Sequence, residues 1–402
     1  MAITLSTEAS GINLAYQPVL YEFSSNHADI QSCVVEVLID TVRVSATSVQ
    51  PDLGTTNEFT FDASTECEKN TGFTLNTLGS NGVIATSTGL KDVKIKIYEV
   101  TLNPSTGLLV TAYDPDDANN SNSDKVSTTA IVYNWTENHL TTNSFDFTDY
   151  QLTANTKKFL TASPSVKKIE LLQDEFIGIL WYAGVASKNY KVEVLTYDVS
   201  NALLNTDFIA IADWNSAYVI NPTDTYLDVG IGTQNLVGSG VSFTNVVYYT
   251  IQVINDDGDM SELKRFNIVK DCDTDTRVHW VNKFGKQDSY TFKGNKTASS
   301  SSKATSFTKA KGIVYDPNER GISTIRNITE DNFTAYSDSI GRETYDFLTG
   351  LKDNNMAWVE IDNTYFPITI DDGSVFITNE LDMSIQFVLS YKFSNLNKGL
   401  IG

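Results

Sequence analysis

Residue types that commonly perform catalysis are sparse in this sequence. Its 402 residues include three histidines, His27, His139 and His279, and none of them stands in a recognisable catalytic sequence context. No Gly-x-Ser-x-Gly motif of a nucleophilic serine occurs. We therefore expect the histidines to be surface or packing residues, and we predict that the protein is not an enzyme.

The spacing of cysteines and glycines argues against a zinc site, a disulfide framework or a phosphate-binding loop. Cys33, Cys67 and Cys272 lie far apart, without the Cys-x-x-Cys spacing of a zinc site. A glycine cluster lacks the following Lys-Ser/Thr pair of a P-loop and is interpreted as a flexible loop. No cofactor is predicted. The clustered glycines are Gly230, Gly232, Gly238 and Gly240.

Acidic side chains suggest two further kinds of site. The aspartates within residues 114–124 and 271–275 could supply oxygen ligands to calcium, but neither stretch has the glycine and glutamate positions of an EF-hand loop. Solvated turns are the favoured interpretation, and a structural calcium ion stays an alternative.

Carboxylates also lie beside tryptophans, as they do in many sugar-binding sites. The neighbours are Glu137 close to Trp135, and Asp213 next to Trp214. Tryptophan is also a common anchor in the core of a β-sandwich, and this second interpretation is favoured.

A basic segment is the strongest electrostatic anomaly of a chain whose net charge is −21. Asp288 is the one acidic residue within the segment. A solvated hairpin is one interpretation, and head-to-tail association with the acidic face of a neighbouring copy is another. DNA contact is disfavoured because arginine is almost absent there. The basic residues are Arg277, Lys283, Lys286, Lys293, Lys296, Lys303, Lys309 and Lys311.

The overall charge and the absence of long apolar runs limit the partners that we expect. A strongly acidic chain is repelled by nucleic acid and by anionic membranes. No run approaches 18 apolar residues, and the N-terminal sequence lacks the features of a secretory signal. We expect a soluble protein made in a cytoplasm, with no membrane partner.

The elements that must position these residues are predicted to be β-strands. In residues 247–253, Val247, Tyr249, Ile251 and Val253 alternate with polar or aromatic residues, which indicates a strand with one buried face. A turn of Asn, Asp and Gly residues follows at 255–258, and the alternation resumes at Phe266. This pattern resembles the last hairpin of fibronectin type III and immunoglobulin-like modules, which implies a β-sandwich without naming a function.

Turn signals and composition divide the chain into three predicted domains of an all-β, multi-domain β-sandwich protein. Residues 1–160 form an N-terminal β-sandwich, residues 161–275 a fibronectin type III or immunoglobulin-like sandwich, and residues 276–402 a β-rich domain. One short helix is predicted near the C-terminus. Its apolar face contains Thr344, Phe347, Leu348 and Leu351 at helical spacing.

Several short sequence motifs resemble those of virion structural proteins of phages that infect Bacteroidetes. One phrase begins Trp280-Val281-Asn282-Lys283-Phe284-Gly285 and continues through Asp288 to an aromatic-x-Phe at 290–292. Residues 13–23 are similar to the start of those proteins, and residues 347–368 and 386–393 to their end. Membership would imply a tail, ring or baseplate component that works as a symmetric oligomer and has no catalytic residues.

These observations together favour a non-enzymatic phage virion structural protein. The expected partners are further copies of the chain, in a ring or sleeve, and other tail or portal-region proteins. The expected location is the virion, after synthesis in the cytoplasm of the host bacterium. The alternative is a receptor- or carbohydrate-binding fibre or adhesin.

Overall fold

The protein is described as a computed structural model. The structure describes residues 3–9, 11–14, 18–71, 73, 75–79, 85–87, 90–113, 123, 125–133, 149–150, 152, 157–181, 190–211, 225–255, 258–259, 261–270, 275–308, 322–352, 354, 356–379 and 384–394.

The first region is built almost entirely from strands. The elements are β1 (Ile3–Thr7), β2 (Gly11–Leu14), β3 (Leu20–Ser25), β4 (Ile30–Ile39), β5 (Val42–Val49), β6 (Glu58–Asp62), α1 (Ser64–Asn70), β7 (Ala85–Ser87), β8 (Leu90–Leu102), β9 (Leu109–Thr111), β10 (Lys125–Val126) and β11 (Ala130–Tyr133).

Two sheets of this region enclose its core. One has the order β1-β3-β6, and the other has the order β2-β11-β8-β4-β5, with β9 and β10 also paired to β8. Alternate residues point inward, so Tyr21 and Phe59 of the small sheet pack with Val35 and Ile95 of the large one. The tight β4–β5 turn holds Asp40 and Thr41 at positive φ, which matches the twist of a hairpin.

The second region supplies the next eight strands and a short helix. The elements are β12 (Val166–Glu170), β13 (Phe176–Trp181), β14 (Lys191–Tyr197), β15 (Leu203–Ala210), β16 (Thr225–Gly230), α2 (Thr233–Gly238), β17 (Tyr248–Asn255), β18 (Gly258–Asp259) and β19 (Lys264–Val269).

These strands form a β-sandwich. One sheet has the order β12-β19-β17-β14-β15, with β18 paired to β17, and the other has the order β13-β16-β7. The predicted hairpin is confirmed, because β17 pairs antiparallel with β18 and β19 while Tyr249, Ile251 and Phe266 lie in the core. Val247 departs from the prediction, since it lies just before β17 and is exposed. Residues 256–257 of the predicted turn lie outside the described residues.

The third region contains one large sheet covered by a helix. Its elements are β20 (Thr276–Val281), β21 (Gln287–Phe292), β22 (Lys296–Thr308), β23 (Ile322–Tyr336), α3 (Arg342–Lys352), β24 (Ala357–Ile361), β25 (Thr364–Ile370), β26 (Val375–Asn379) and β27 (Ser384–Phe393). The sheet order is β21-β20-β24-β25-β27-β23-β22, with β26 paired to β27. The predicted helix is confirmed as α3, which buries Phe347, Leu348 and Leu351 against this sheet.

The structure confirms the all-β sandwich class and corrects the prediction of a single helix. Within the described residues two further helices, α1 and α2, are each shorter than two full turns, so neither displays the repeated apolar spacing that identifies a helix in sequence. The hydrophobic clusters of the described residues span 3–132, 152–268 and 278–393. Leu152 and Phe159, which lie within the predicted first domain, pack in the second core. Strand β7 also pairs with β16, so the first two regions share a sheet.

The glycine cluster is not a flexible loop, and that interpretation was wrong. Gly230 ends β16, and Gly232 caps α2, where an added Cβ would lie 2.3 Å from the backbone nitrogen of Glu175. Gly240 has a φ of +95°, a conformation that other residues rarely adopt. The glycines therefore allow close backbone packing at the start of α2 and a sharp turn after its end.

Candidate functional site

The first part of the basic segment is a hairpin whose two faces are both buried. Val278 and Trp280 of β20 face the core of the third region, while Arg277 and His279 alternate with them and face the second region. The turn uses the Asn-x-x-Gly phrase: the side-chain oxygen of Asn282 accepts hydrogen bonds from the backbone of Phe284 and Lys286, and Gly285 has positive φ. The sequence thus forms a hairpin with one apolar and one polar face.

Arg277 is the centre of an ion-pair cluster between the two regions. Its guanidinium lies 3.1 Å from a carboxylate oxygen of Glu175 and 3.3 Å from one of Glu360. It also donates hydrogen bonds to Ser289, Gln173 and Thr291, and to the backbone carbonyl of Asp174. A planar donor with this many partners fixes the orientation of the groups around it.

Lys167 and His279 complete this cluster. The Nζ of Lys167 lies 2.6 Å from Glu175, and both side chains are almost fully buried. The Nε2 of His279 lies 2.8 Å from Glu360, and its Nδ1 lies 3.0 Å from the side-chain amide of Gln287. With the amide as donor, the proton of the neutral ring sits on Nε2. We call Lys167, Glu175, Arg277, His279 and Glu360 the buried ion-pair cluster.

Burial and charge pairing shift the pKa values of this cluster in opposite directions. Burial lowers the pKa of Lys167 and of His279, and their carboxylate partners offset part of that effect. Burial pushes the pKa of Glu175 upward, but Lys167 and Arg277 outweigh it and hold that pKa below its ordinary value. Glu175 is therefore an anion between two cations, and the cluster ties the second region to the third.

Lys286 forms a second buried pair across the same junction. Its Nζ lies 3.1 Å from a carboxylate oxygen of Asp228 on β16, and neither side chain is exposed. The lysine stem passes over Gly178 of β13, where an added Cβ would lie 2.6 Å from Cγ of Lys286. Burial lowers the pKa of Lys286, and Asp228 opposes that shift.

Asp288, the acid within the basic segment, is also buried at this junction. It accepts hydrogen bonds from the hydroxyl of Thr161 at 2.6 Å and from the side-chain amide of Asn282 at 2.9 Å. Burial raises the pKa of this carboxyl to about 6, although both hydrogen bonds oppose the shift. The group therefore titrates in a weakly acidic range.

The first region also reaches the junction. The backbone nitrogen of Asn76 donates to the side-chain oxygen of Gln287 at 3.0 Å, and that of Gly79 donates to Asp174. Phe73 also packs against Trp358 of β24, with ring centroids 6.0 Å apart. All three regions therefore meet around one polar junction.

The structure separates the eight predicted basic residues into different environments. Arg277 and Lys286 are buried, so they cannot line an exposed interface, and Lys293 is paired with Glu170 and Asp275. Lys283 is exposed beside the ring of Phe284, and Lys296 and Lys303 are exposed on β22. Lys309 and Lys311 lie outside the described residues.

Strand β22 forms part of a projecting ribbon. All 13 of its side chains are exposed, and it pairs only with β23 in the described part of the chain. Among the described residues, strand β23 pairs with β27 only through Asn332–Tyr336. In the strand pairing of the described residues, 300–308 and 322–331 pair only with each other, and we call this ribbon the arm. At about 3.3 Å per residue, nine residues extend roughly 30 Å beyond the sheet.

The other predicted sites are only partly described. Several residues of the predicted calcium and sugar sites lie outside the described residues, as do His139 and Cys272. These positions are 114–122, 124, 135, 137, 139, 213–214 and 271–274. His27 is exposed and lies 3.4 Å from Glu99, and Cys33 and Cys67 are buried free thiols. Among the residues that the structure does describe, no group of three or more His, Cys, Asp and Glu side chains is arranged to hold a metal ion. No described helix has the length and apolarity needed to cross a bilayer.

The main partners at the junction were missed by sequence reasoning. Glu175, Asp228 and Glu360 come from three different strands or strand ends, and only the fold brings them to β20 and β21. The one available signal was the Asp174-Glu175 pair directly before the apolar strand β13, where an acid is costly to bury without a partner.

Comparisons with known proteins give only remote structural similarity. No protein family matches the sequence, and no curated protein does. The fibronectin(III)-like modules of CbhA from Clostridium thermocellum are 11% identical, with a TM-score of 0.16, over 67% of this chain and 93% of that one. Dimeric latent PorU from Porphyromonas gingivalis is 7% identical, with a TM-score of 0.19, over 83% of this chain and 32% of that one.

A Salmonella alpha-2-macroglobulin is 9% identical, with a TM-score of 0.16. That similarity covers all of this chain and 31% of the other. This chain therefore spans about a third of the length of PorU and of the macroglobulin. At these scores the fold assignment rests on the sheets and their cores.

Proposed function

We propose that this chain is a non-enzymatic structural protein that assembles through symmetric interfaces with copies of itself. In this proposal it belongs to a tail, ring or baseplate of a phage virion, with other tail or portal-region proteins as neighbours. The arm is the observation that carries the assembly role. The resemblance of residues 13–23, 280–292, 347–368 and 386–393 to virion proteins supports the phage assignment.

The arm supports assembly because a two-stranded ribbon is a poor structure by itself. An isolated hairpin is marginally stable at best in water, and a long exposed edge strand is a site for pairing with another chain. Strand β22 also has little intrinsic preference for a strand, since it contains the run Ser299-Ser300-Ser301-Ser302 and no branched aliphatic residue. Burial against a neighbouring protein would supply the missing support.

The buried ion-pair cluster gives this arm a fixed base. The arm extends from the same sheet as β20, and Arg277 of β20 is bound to Glu175 of the second region. The buried pairs of Arg277 with Glu175 and of Lys286 with Asp228 join the second and third regions at more than one point. If these contacts fix the sheet that carries the arm, the arm has the same orientation in every copy, which a closed assembly requires.

Light scattering after size-exclusion chromatography tests the assembly role. The full chain has a mass of 44.4 kDa, and we expect species of several copies at low salt that dissociate at high salt, because exposed charges are screened. A shortened variant replaces residues 301–330 with Asn-Gly, a dipeptide that closes hairpins. We expect it to keep its circular dichroism and to remain monomeric.

A strict monomer for the full chain at every salt and protein concentration would contradict this proposal. An unchanged mass distribution for the shortened variant would remove the arm as its basis. Binding of the monomer to a glycan array, without any assembly, would instead favour a receptor- or carbohydrate-binding adhesin.

A further inference from the structure

We infer that the arm of one copy docks along strand β15 in the second region of a neighbouring copy. This inference rests on the proposed self-assembly and names the surface that receives the arm. Strand β15 is the terminal strand of its sheet, and its outer edge pairs with no strand in the part of the chain that the structure describes. Its eight residues provide an edge long enough for β-strand addition.

Strand β15 exposes apolar side chains that a soluble edge strand would normally avoid. Leu203 and Phe208 are each 54% exposed, and Leu204 is 45% exposed. Natural edge strands are usually short, charged or covered, so an open edge with three large apolar side chains indicates a covering partner. The described end of the arm offers matching apolar side chains in Phe307 and Ile322, both of them exposed.

The charges of the two strands are complementary. Within the arm, β22 carries Lys303 and no acid, and Glu330 and Asp331 lie on β23 opposite Ser301 and Ser300. Strand β15 carries Asp207 and no cation. An arm strand laid beside β15 would bring opposite charges together and leave the apolar side chains to pack.

Other open edges fit the arm less well. Strand β5 is as long as β15, but it carries no acid that could pair with Lys303, and its Arg43 is already paired with Glu36 at 3.2 Å. Strand β6 is acidic but has five residues, and its Asp62 already accepts hydrogen bonds from the backbone of Val19 and Ser64. Strand β26 exposes Val375 and Ile377 but also has only five residues and no charged residue. Strand β15 alone among these combines length, an acid and exposed apolar side chains.

Site-directed cross-linking between copies tests this docking. One preparation carries Asn205→Cys on β15, and the other carries a cysteine on the arm, introduced at Ser300, Ser302 or Ser306 in turn. All preparations carry Cys272→Ser, while the buried Cys33 and Cys67 stay in place. On mixing and mild oxidation we expect a disulfide-linked dimer for at least one arm position. Thr47→Cys, at an exposed position on β5, is the matched control and should give no dimer.

A second experiment perturbs the surface without a cross-link. Phe208→Lys removes an exposed apolar contact and adds a charge of the same sign as Lys303, and we expect assembly to weaken at least about tenfold in dissociation constant. Val42→Lys on β5, where the valine is 64% exposed, is the control and should leave assembly unchanged. Both changes lie on the surface, so circular dichroism should show an intact fold.

The outcomes separate this inference from the proposed assembly role. If the mixtures assemble by light scattering but no Asn205→Cys cross-link forms and Phe208→Lys assembles normally, docking on β15 is refuted while self-assembly stands. If no mixture assembles at all, the proposed function itself fails. Cross-links to Thr47→Cys with equal yield would also overturn the choice of β15.

Discussion

The buried pair of Lys286 and Asp228 offers a direct test of how the second and third regions are held together. We consider Lys286→Met, which keeps the length of the side chain, Asp228→Leu, which keeps its approximate shape, and the double variant. The two charges lie 3.1 Å apart and neither side chain is exposed. Each single variant leaves one charge buried without its partner, whereas the double variant leaves none.

The expected magnitudes follow from the desolvation of the charge that remains. Each single variant should lower the free energy of unfolding by about 3–5 kcal/mol, because a buried charge loses its partner. The double variant should lie within about 2 kcal/mol of the parent, since replacement of a buried pair by apolar groups is often neutral. The coupling energy between the two positions should therefore be at least about 4 kcal/mol.

Urea unfolding followed by tryptophan fluorescence measures these differences, since Trp280 lies in the core next to the junction. The control cycle uses Lys158 and Asp149, an exposed pair whose side chains are 56% and 45% exposed. That pair should show a coupling of about 1 kcal/mol or less. Single variants of Lys286 and Asp228 that cost under about 1 kcal/mol, or costs that simply add in the double variant, would refute this reasoning.

Three further changes should have measurable effects. Gly178→Ala should lower the free energy of unfolding by about 1–3 kcal/mol, because the added Cβ would lie 2.6 Å from the immobile stem of Lys286. Gly350→Ala, in α3 with no atom near the added Cβ, is the control and should instead raise the free energy of unfolding by up to about 1 kcal/mol. Thermal melts of the two variants measure both effects. Asp288→Asn should change the pH dependence of stability, because the pKa of the Asp288 carboxyl is about 6 in the folded protein and near its ordinary 3.8 in the unfolded chain. The stability of the wild type relative to the variant should therefore fall by up to about 3 kcal/mol as the pH rises from 4 to 7. A constant difference between the two proteins in urea titrations over this pH range would contradict this. The shortened-arm variant should melt within a few degrees of the monomeric full chain, since the arm has no described contact with a core, and a large drop would show that the arm supports the fold.

Local patterns predicted the strands and the final helix well. The alternation through Tyr249 and Ile251 placed β17 correctly, and the helical spacing of Phe347, Leu348 and Leu351 placed α3. These signals were readable because the residues that each element places in a core recur at the period of that element. Strand β17 also buries Tyr248 and Thr250 on its other face, which the alternation did not predict. Helices α1 and α2 are too short to show such a period.

The environment of the basic segment could not be read from local sequence. Arg277 and Lys286 look like surface residues, because arginine and lysine are rarely buried. Their burial depends on carboxylates supplied by Glu175, Asp228 and Glu360. These partners are 58 to 102 residues away along the chain, so sequence proximity gives no sign of them. In the described part of the segment, Lys283 and the two lysines of β22 are the basic residues that stay exposed.

Hydrogen–deuterium exchange of the arm across a protein concentration series tests the self-assembly of this chain most directly. If copies join through the arm, the amides of residues 300–308 should become protected as light scattering shows the mass rising above 44.4 kDa. Fast exchange of these amides at every concentration, either in a persistent monomer or in an assembly that leaves the arm in solvent, would contradict the account.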